Sequence, residues 1–243
     1  MKNILVSSLF CLALFCAPSC SEPETQLDVN FRLTYDDQPL AMFENVEFPS
    51  GKQISFSRFS FYLSELQIGS QSIEGAQYLD LTADHSTPEK AAIGTTVSFP
   101  DLEEEDINNI SFSIGLNPTV NATIPGDYTS SNDLSLSSEY WTPWSSYIFS
   151  KTEGRMDADE DGTNELNFAL HLGLDDAFRE VNLEKEMTLS GESTVVIKID
   201  LKKLFENAGV VYDLEATPQI HQTNTINEIN QLCDNLVTAF SID

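Results

Sequence analysis

The chain has 243 residues and carries 39 acidic against 12 basic side chains, which gives a formal net charge of −27. Nucleic acids and anionic membrane surfaces bind proteins through clustered Lys and Arg, so this balance argues against both kinds of partner. The charge is compatible with cations as ligands and equally with a well solvated surface. The length is sufficient for one large all-β domain or two small ones, of which we expect one, and we expect no nucleic-acid partner.

The N-terminus has the pattern of an export signal, because Lys2 precedes an apolar run over 4–15 that is too short to span a bilayer. Small and turn-forming residues at 17–19 then precede Cys20, an arrangement that resembles the lipobox of bacterial lipoproteins. We predict a lipoprotein signal peptide over 1–19 and a lipid anchor with its tether over 20–26, with Cys20 lipidated. The predicted location is the outer membrane, on its periplasmic or cell-surface side. An ordinary secretory signal is the alternative.

Alternation of apolar and polar residues predicts an all-β protein. The segments with this period of two are 27–35, 110–116, 166–172 and 195–201. A one-residue shift in the alternation within 54–63 predicts a β-bulge. Helical patterns are confined to 201–208 and to a segment from 225 onward, where Cys233 falls on the apolar stripe as a buried thiol. The prediction is a single β-sandwich domain over 27–243 with minor C-terminal helices.

An acidic segment between two predicted strands has the spacing of a calcium loop. Asp157, Asp159 and Asp161 alternate and are followed by Gly162, as in the first half of an EF-hand loop. Thr163 would contribute its carbonyl and Glu165 its carboxylate. Position twelve is Phe168 rather than Glu, which excludes a regular EF-hand and leaves a calcium-binding turn. A polar hairpin loop without an ion is the alternative.

An aromatic block over 140–147 contains both tryptophans, and a strand with His171 follows it. His171 lies on the face opposite the apolar side chains of that strand, so it is either solvent-exposed or a metal ligand. The other two histidines, His85 and His221, have no zinc-type spacing to it. The tryptophans are candidates for core packing as well as for a site.

These segments together resemble the MbnP-like family, copper-binding periplasmic and surface proteins encoded beside methanobactin genes. The segments that carry the resemblance are 59–66, 110–116, 140–147, 151–154 and 171–173. The resemblance implies copper bound by histidine and an oxidised tryptophan, and neighbours that are di-haem peroxidase-like proteins and outer-membrane receptors. It implies a candidate copper site with His171 and one of Trp141 or Trp144, to which Met156 could add a sulfur ligand. Family members often carry a loop histidine where this chain has only Val120 to Thr123.

The sequence therefore predicts a non-catalytic, metal-binding envelope lipoprotein. The family resemblance implies copper handling, and the acidic segment predicts calcium. The alternative is a calcium-stabilised surface module that binds a glycan or a partner protein through an aromatic patch. An enzyme is disfavoured because the chain has no Gly-x-Ser-x-Gly elbow, no paired-histidine motif and no cysteine nucleophile with a nearby histidine.

Overall fold

The computed structural model describes residues 25–221 and 225–243. The predicted signal peptide and Cys20, and all but the last residues of the predicted tether, lie outside the described residues. No helix within the described ranges is long and apolar enough to cross a membrane.

Strands dominate the described chain. They are β1 (Thr25–Tyr35), β2 (Gln38–Pro39), β3 (Asn45–Glu47), β4 (Gln53–Ile68), β5 (Gln71–Asp80), β6 (Thr95–Leu102), β7 (Glu105–Ile114), β8 (Tyr140–Trp141), β9 (Ser146–Met156), β10 (Leu166–Gly173), β11 (Arg179–Leu189), β12 (Glu192–Asp200), β13 (Glu206–Asn207), β14 (Val210–Val211), β15 (Gln219–Ile220) and β16 (Phe240–Ile242). Helices are few. They are α1 (Pro88–Ile93), α2 (Pro118–Asn121), α3 (Leu201–Phe205) and α4 (Ile226–Ala239), together with short 3₁₀ turns.

Two sheets pack face to face. The larger sheet has the order β11-β7-β4-β9-β10-β15, with β3 and β5 also paired to β4 and β8 paired to β9. The smaller sheet has the order β16-β12-β1-β2, with β6 also paired to β1. Its central pair, β1 and β12, is parallel, whereas β1 and β6 are antiparallel. The predicted all-β sandwich with minor C-terminal helices is confirmed.

The core lies between the sheets and is rich in phenylalanine. Phe31 of the smaller sheet meets Phe61 of the larger one with ring centroids 6.0 Å apart, and Phe240 contacts both Phe61 and Phe112. These rings are buried because the alternation of side chains along each strand directs them into the space between the two sheets. Edge-to-face packing of this kind adds about 0.5–1.5 kcal/mol per pair beyond area burial.

The opposite side of the larger sheet, which we call the outer face, is covered in part by a long connection over 117–145, the cover segment. Hydrogen bonds attach it to the sheet, among them Tyr62 Oη to the Asp133 carbonyl at 3.1 Å, Tyr147 Oη to the Leu134 carbonyl at 2.8 Å, and Lys151 Nζ to the Ser138 carbonyl at 2.8 Å. The cover segment places the aromatic block against the ends of β9 and β10.

Two local details follow from the backbone. The predicted bulge in β4 is confirmed, because the register of β4 against β9 shifts between Phe56 and Arg58. The helix predicted over 201–208 is shorter than expected: α3 ends at Phe205, and Glu206–Asn207 pairs with β14 in a two-stranded turn. Glu206 is extended, with φ of −138°, which ends the helix, and Ala208 and Gly209, with φ of 51° and 78°, form the tight turn between β13 and β14.

Candidate metal centre

The acidic loop over 157–165 joins β9 to β10 and gathers its carboxylates. One carboxylate oxygen from each of Asp157, Asp159, Asp161 and Glu165 can be chosen so that all lie within 4.8 Å of one another. Asp157 is buried and the other three are exposed. Backbone amides already orient them: Gly162 N donates to Asp157 Oδ2 at 2.9 Å and Ala158 N to Glu165 Oε1 at 2.9 Å.

The remaining predicted residue of this loop, Thr163, donates its backbone amide to Asp161 Oδ1 at 2.8 Å. Gly162 has φ of +91°, a conformation that favours glycine and allows the chain to reverse beneath the carboxylates. The acidic loop therefore presents only oxygen donors, the ligand type that Ca²⁺ prefers.

A second group of potential ligands lies on the outer face, at the other end of the β9–β10 pair. Its members are Trp141, Glu153, His171, Gln219 and His221, which we call the histidine cluster. The rings of His171 and His221 have centroids 4.6 Å apart, and the Trp141 ring lies 5.9 Å from that of His221. His171 is held by Glu153, whose Oε1 lies 2.8 Å from His171 Nε2.

The short strand β15 brings His221 into the histidine cluster. It pairs in parallel with β10 through Ala169 with Gln219 and Leu170 with Ile220, so the next residues along each strand are the two histidines. Since side chains alternate along a strand, Gln219 and His221 share the outer face with His171. Gln219 Nε2 donates to the Asn167 carbonyl at 2.9 Å, and its Oε1 lies 2.9 Å from His221 Nε2.

The structure separates the two tryptophans. Trp141 is half-buried and donates Nε1–H to the His221 carbonyl at 3.2 Å. Trp144 is only 8% exposed and packs against Gly173, where an added Cβ would lie 3.0 Å from its ring. Of the two candidates, Trp141 is the one in contact with a histidine.

Met156 lies away from the histidine cluster. It pairs with Leu166 and Ile54 at the acidic-loop end of β9, whereas His171 pairs with Lys151, five residues earlier along that strand. At about 3.3 Å per residue, the separation along the strand is roughly 16 Å. Met156 is also fully buried on the core side, so its sulfur cannot join His171.

Charges behind the histidine cluster are buried and paired. Glu139, from the cover segment, is 2% exposed and contacts Lys151 Nζ at 2.8 Å and Arg58 Nη2 at 3.2 Å. The hydrogen bond from His171, together with Arg58 and Lys151 nearby, lowers the pKa of Glu153. Burial, and secondly the neighbouring His171, lower the pKa of His221. A neutral imidazole at His221 is the form that binds metals.

Sequence reasoning missed His221, Glu153 and Gln219. Nothing in the spacing of residues 171 and 221 connects them, because only the parallel pairing of β15 with β10 brings them together. The sequence offers one signal. Gln219 and His221 are two residues apart, as Ala169 and His171 are, and residues two apart on a strand lie on the same face.

Comparisons with known proteins agree with this architecture. The family model MbnP matches residues 24–226. Among solved structures, the chain is similar to MbnP from Methylosinus trichosporium, with a TM-score of 0.54 and 14% identity over 77% of this chain and 79% of that one. No curated protein matches the sequence. The family match spans most of the strands of both sheets and both candidate metal sites, and on that ground the chain belongs to the MbnP family.

Proposed function

We propose that this protein is a non-catalytic envelope lipoprotein that binds copper at the histidine cluster. The observation that carries the proposal is the approach of the His171 and His221 rings, 4.6 Å between centroids, beside Trp141. Imidazole nitrogens suit copper, and two rings at this separation can reach one ion after small side-chain rotations. Copper handling is also what the family resemblance implies.

The chemistry of the donor set fits copper. His171 is 14% exposed at its side chain, which leaves an opening for an ion to enter while limiting water. The indole nitrogen of Trp141 carries a hydrogen and is a donor only, so Trp141 becomes a ligand only after oxidation of its ring. Such oxidation is the modification that the resemblance implies, and a di-haem peroxidase-like protein of the envelope is its proposed source.

Elemental analysis of the exported protein tests the proposal. With copper supplied during expression and excess metal removed, we expect about one copper per chain, lost in His171→Ala and in His221→Ala. The matched pair Trp141→Phe and Trp144→Phe tests the two tryptophans separately. Copper content should fall in Trp141→Phe and not in Trp144→Phe, because Trp141 is the one that contacts a histidine ring among the described residues. Copper content that is unchanged in both histidine variants would refute the site.

We propose in addition that the acidic loop binds calcium as a structural ion. The supporting observation is the convergence of four carboxylates within 4.8 Å, one of them buried. Carboxylates at this separation repel one another, and a divalent cation would remove the repulsion. Calcium at this position would fix the turn between β9 and β10 without taking part in copper binding.

The envelope location rests on the export signal and Cys20, and an outer-membrane receptor is a further proposed partner by family association. The alternative of an aromatic interaction patch has less support. Trp144 is buried, and Trp141 is half-buried against His221. Tyr140 packs against Tyr147, with ring centroids 5.2 Å apart. An aromatic recognition surface would need these rings exposed together.

A further inference from the structure

Each histidine of the cluster is held through the same ring nitrogen. His171 Nε2 lies 2.8 Å from Glu153 Oε1, and His221 Nε2 lies 2.9 Å from Gln219 Oε1. Neither Nδ1 atom has a hydrogen-bond partner within 25–221 or 225–243. With respect to the described residues, the Nδ1 atoms of the two rings are therefore equivalent, although the rings come from different parts of the sheet.

The partners determine which nitrogen carries the hydrogen. A Glu carboxylate accepts hydrogen bonds, so the His171 nitrogen that faces Glu153 must donate. An amide side chain could turn either end toward His221, but the amide NH₂ of Gln219 already donates to the Asn167 carbonyl, which can only accept. The oxygen of Gln219 consequently faces His221, and His221 Nε2 also donates.

We propose that copper binds through Nδ1 of both His171 and His221, and that Glu153 and Gln219 are the positioning residues that fix this choice. The inference rests on the proposed function and deepens it. A neutral imidazole has one lone-pair nitrogen, and a hydrogen bond from the other nitrogen orients the ring and increases its basicity. Glu153 has two basic neighbours, because Arg58 lies opposite it in the β4–β9 register and Lys151 lies two residues earlier on the same face of β9.

The first measurement is the tautomer of each ring in the metal-free full-length protein, by ¹⁵N NMR of histidine at a pH above about 7.5, where an ordinary histidine is neutral. We expect Nε2–H for both rings in the wild type. We expect a loss of this preference at His171 in Glu153→Leu and at His221 in Gln219→Leu. Nδ1–H in either wild-type ring would overturn the proposal.

The second measurement is copper affinity by competition with a chelator. Loss of such a hydrogen-bond partner weakens metal binding about 10- to 100-fold, which we expect for Glu153→Leu and Gln219→Leu. Glu153→Gln keeps an acceptor oxygen and should lose less. Glu184→Leu makes the same replacement at an exposed position on β11 and serves as the matched control.

The two measurements separate the inference from the proposed function. Nε2–H tautomers with no copper bound by the wild type would refute copper binding, and with it the ligand assignment. Copper bound equally well by Glu153→Leu, Gln219→Leu and Glu184→Leu would refute the positioning roles while leaving the copper site in place. Unchanged melting temperatures in all variants would show that the affinity losses are local.

Discussion

At the scale of single residues, the three histidines differ in how many of their nitrogens are satisfied. His85 is fully buried, and both nitrogens are used: Nε2 accepts from the Leu33 amide at 2.9 Å, and Nδ1 donates to the Leu81 carbonyl at 2.7 Å. His171 and His221 each have only one nitrogen engaged among the described residues. His85 thus serves the fold, whereas the other two retain a nitrogen for a ligand.

His85 should make the protein sensitive to mild acid. Burial lowers the pKa of His85, so below the ordinary histidine pKa of about 6.5 the unfolded chain binds a proton that the folded chain does not. The contribution of His85 to stability is therefore complete above that pH and is lost as the pH falls toward the lower pKa of the folded state. At neutral pH, His85→Gln should lower the free energy of unfolding by about 1–3 kcal/mol, since the buried Leu33 amide and Leu81 carbonyl lose their hydrogen bonds to the imidazole.

Urea unfolding of the wild type and of His85→Gln at about pH 7.5 and about pH 5 would measure this effect. The difference in the free energy of unfolding between the two proteins should shrink at the lower pH, because the substituted glutamine does not titrate. The carboxylates are common to both proteins, so their effect on this difference cancels. A difference that stays constant would show that His85 keeps an ordinary pKa.

At the scale of elements, the hairpin of β9 and β10 carries both candidate sites, one at each end. The turn of this hairpin holds the acidic loop, and the opposite end holds His171 and the residues that reach it from β8 and β15. Gly154 lies between them, where an added Cβ would meet the Ser55 carbonyl at 2.1 Å and Phe168 at 2.5 Å. The strands pack too closely at this point for any side chain.

Calcium should raise the melting temperature through the acidic loop. At a calcium concentration of about 100 times Kd, binding to the folded state alone adds about 2.7 kcal/mol to the free energy of unfolding. Asp159→Ala removes one of the four gathered carboxylates and should abolish most of this gain. Glu160→Ala removes the neighbouring charge, which is not one of the four, and should retain it.

Thermal unfolding of the three proteins with calcium and with a chelator measures the difference. Equal responses in Asp159→Ala and Glu160→Ala would indicate unspecific screening of charge. No response in the wild type would leave the acidic loop as a polar hairpin turn.

At the scale of the whole molecule, local pattern predicted most of the sandwich but little of the histidine cluster. Strands such as β1 and β10 could be located because apolar side chains face the core and mostly polar side chains face the other way, which imposes a period of two. The acidic loop could be located because its four carboxylates are close in sequence. His171 and His221 come together only through β15, a two-residue strand whose pairing no local pattern encodes.

The excess of negative charge should also affect the molecule as a whole. With a formal charge of −27, folding brings many negative side chains close together, and their mutual repulsion favours unfolding. Raising the ionic strength from about 0.01 M to about 0.15 M shortens the Debye length from about 30 Å to about 8 Å. We therefore expect sodium chloride, with a chelator present, to raise the melting temperature by a few degrees, at about 2–4 °C per kcal/mol.

A variant with Glu104→Lys and Glu184→Lys provides the comparison, because both positions are exposed and lie outside the two candidate sites. Its smaller net charge should give a higher melting temperature at low salt and a smaller rise on adding salt. Ion pairs such as Lys198 with Asp243 lie at the surface and oppose this effect only weakly. If salt lowered the melting temperature of the wild type instead, attractive pairs of this kind would outweigh the repulsion, and the predicted net destabilisation by charge would be wrong.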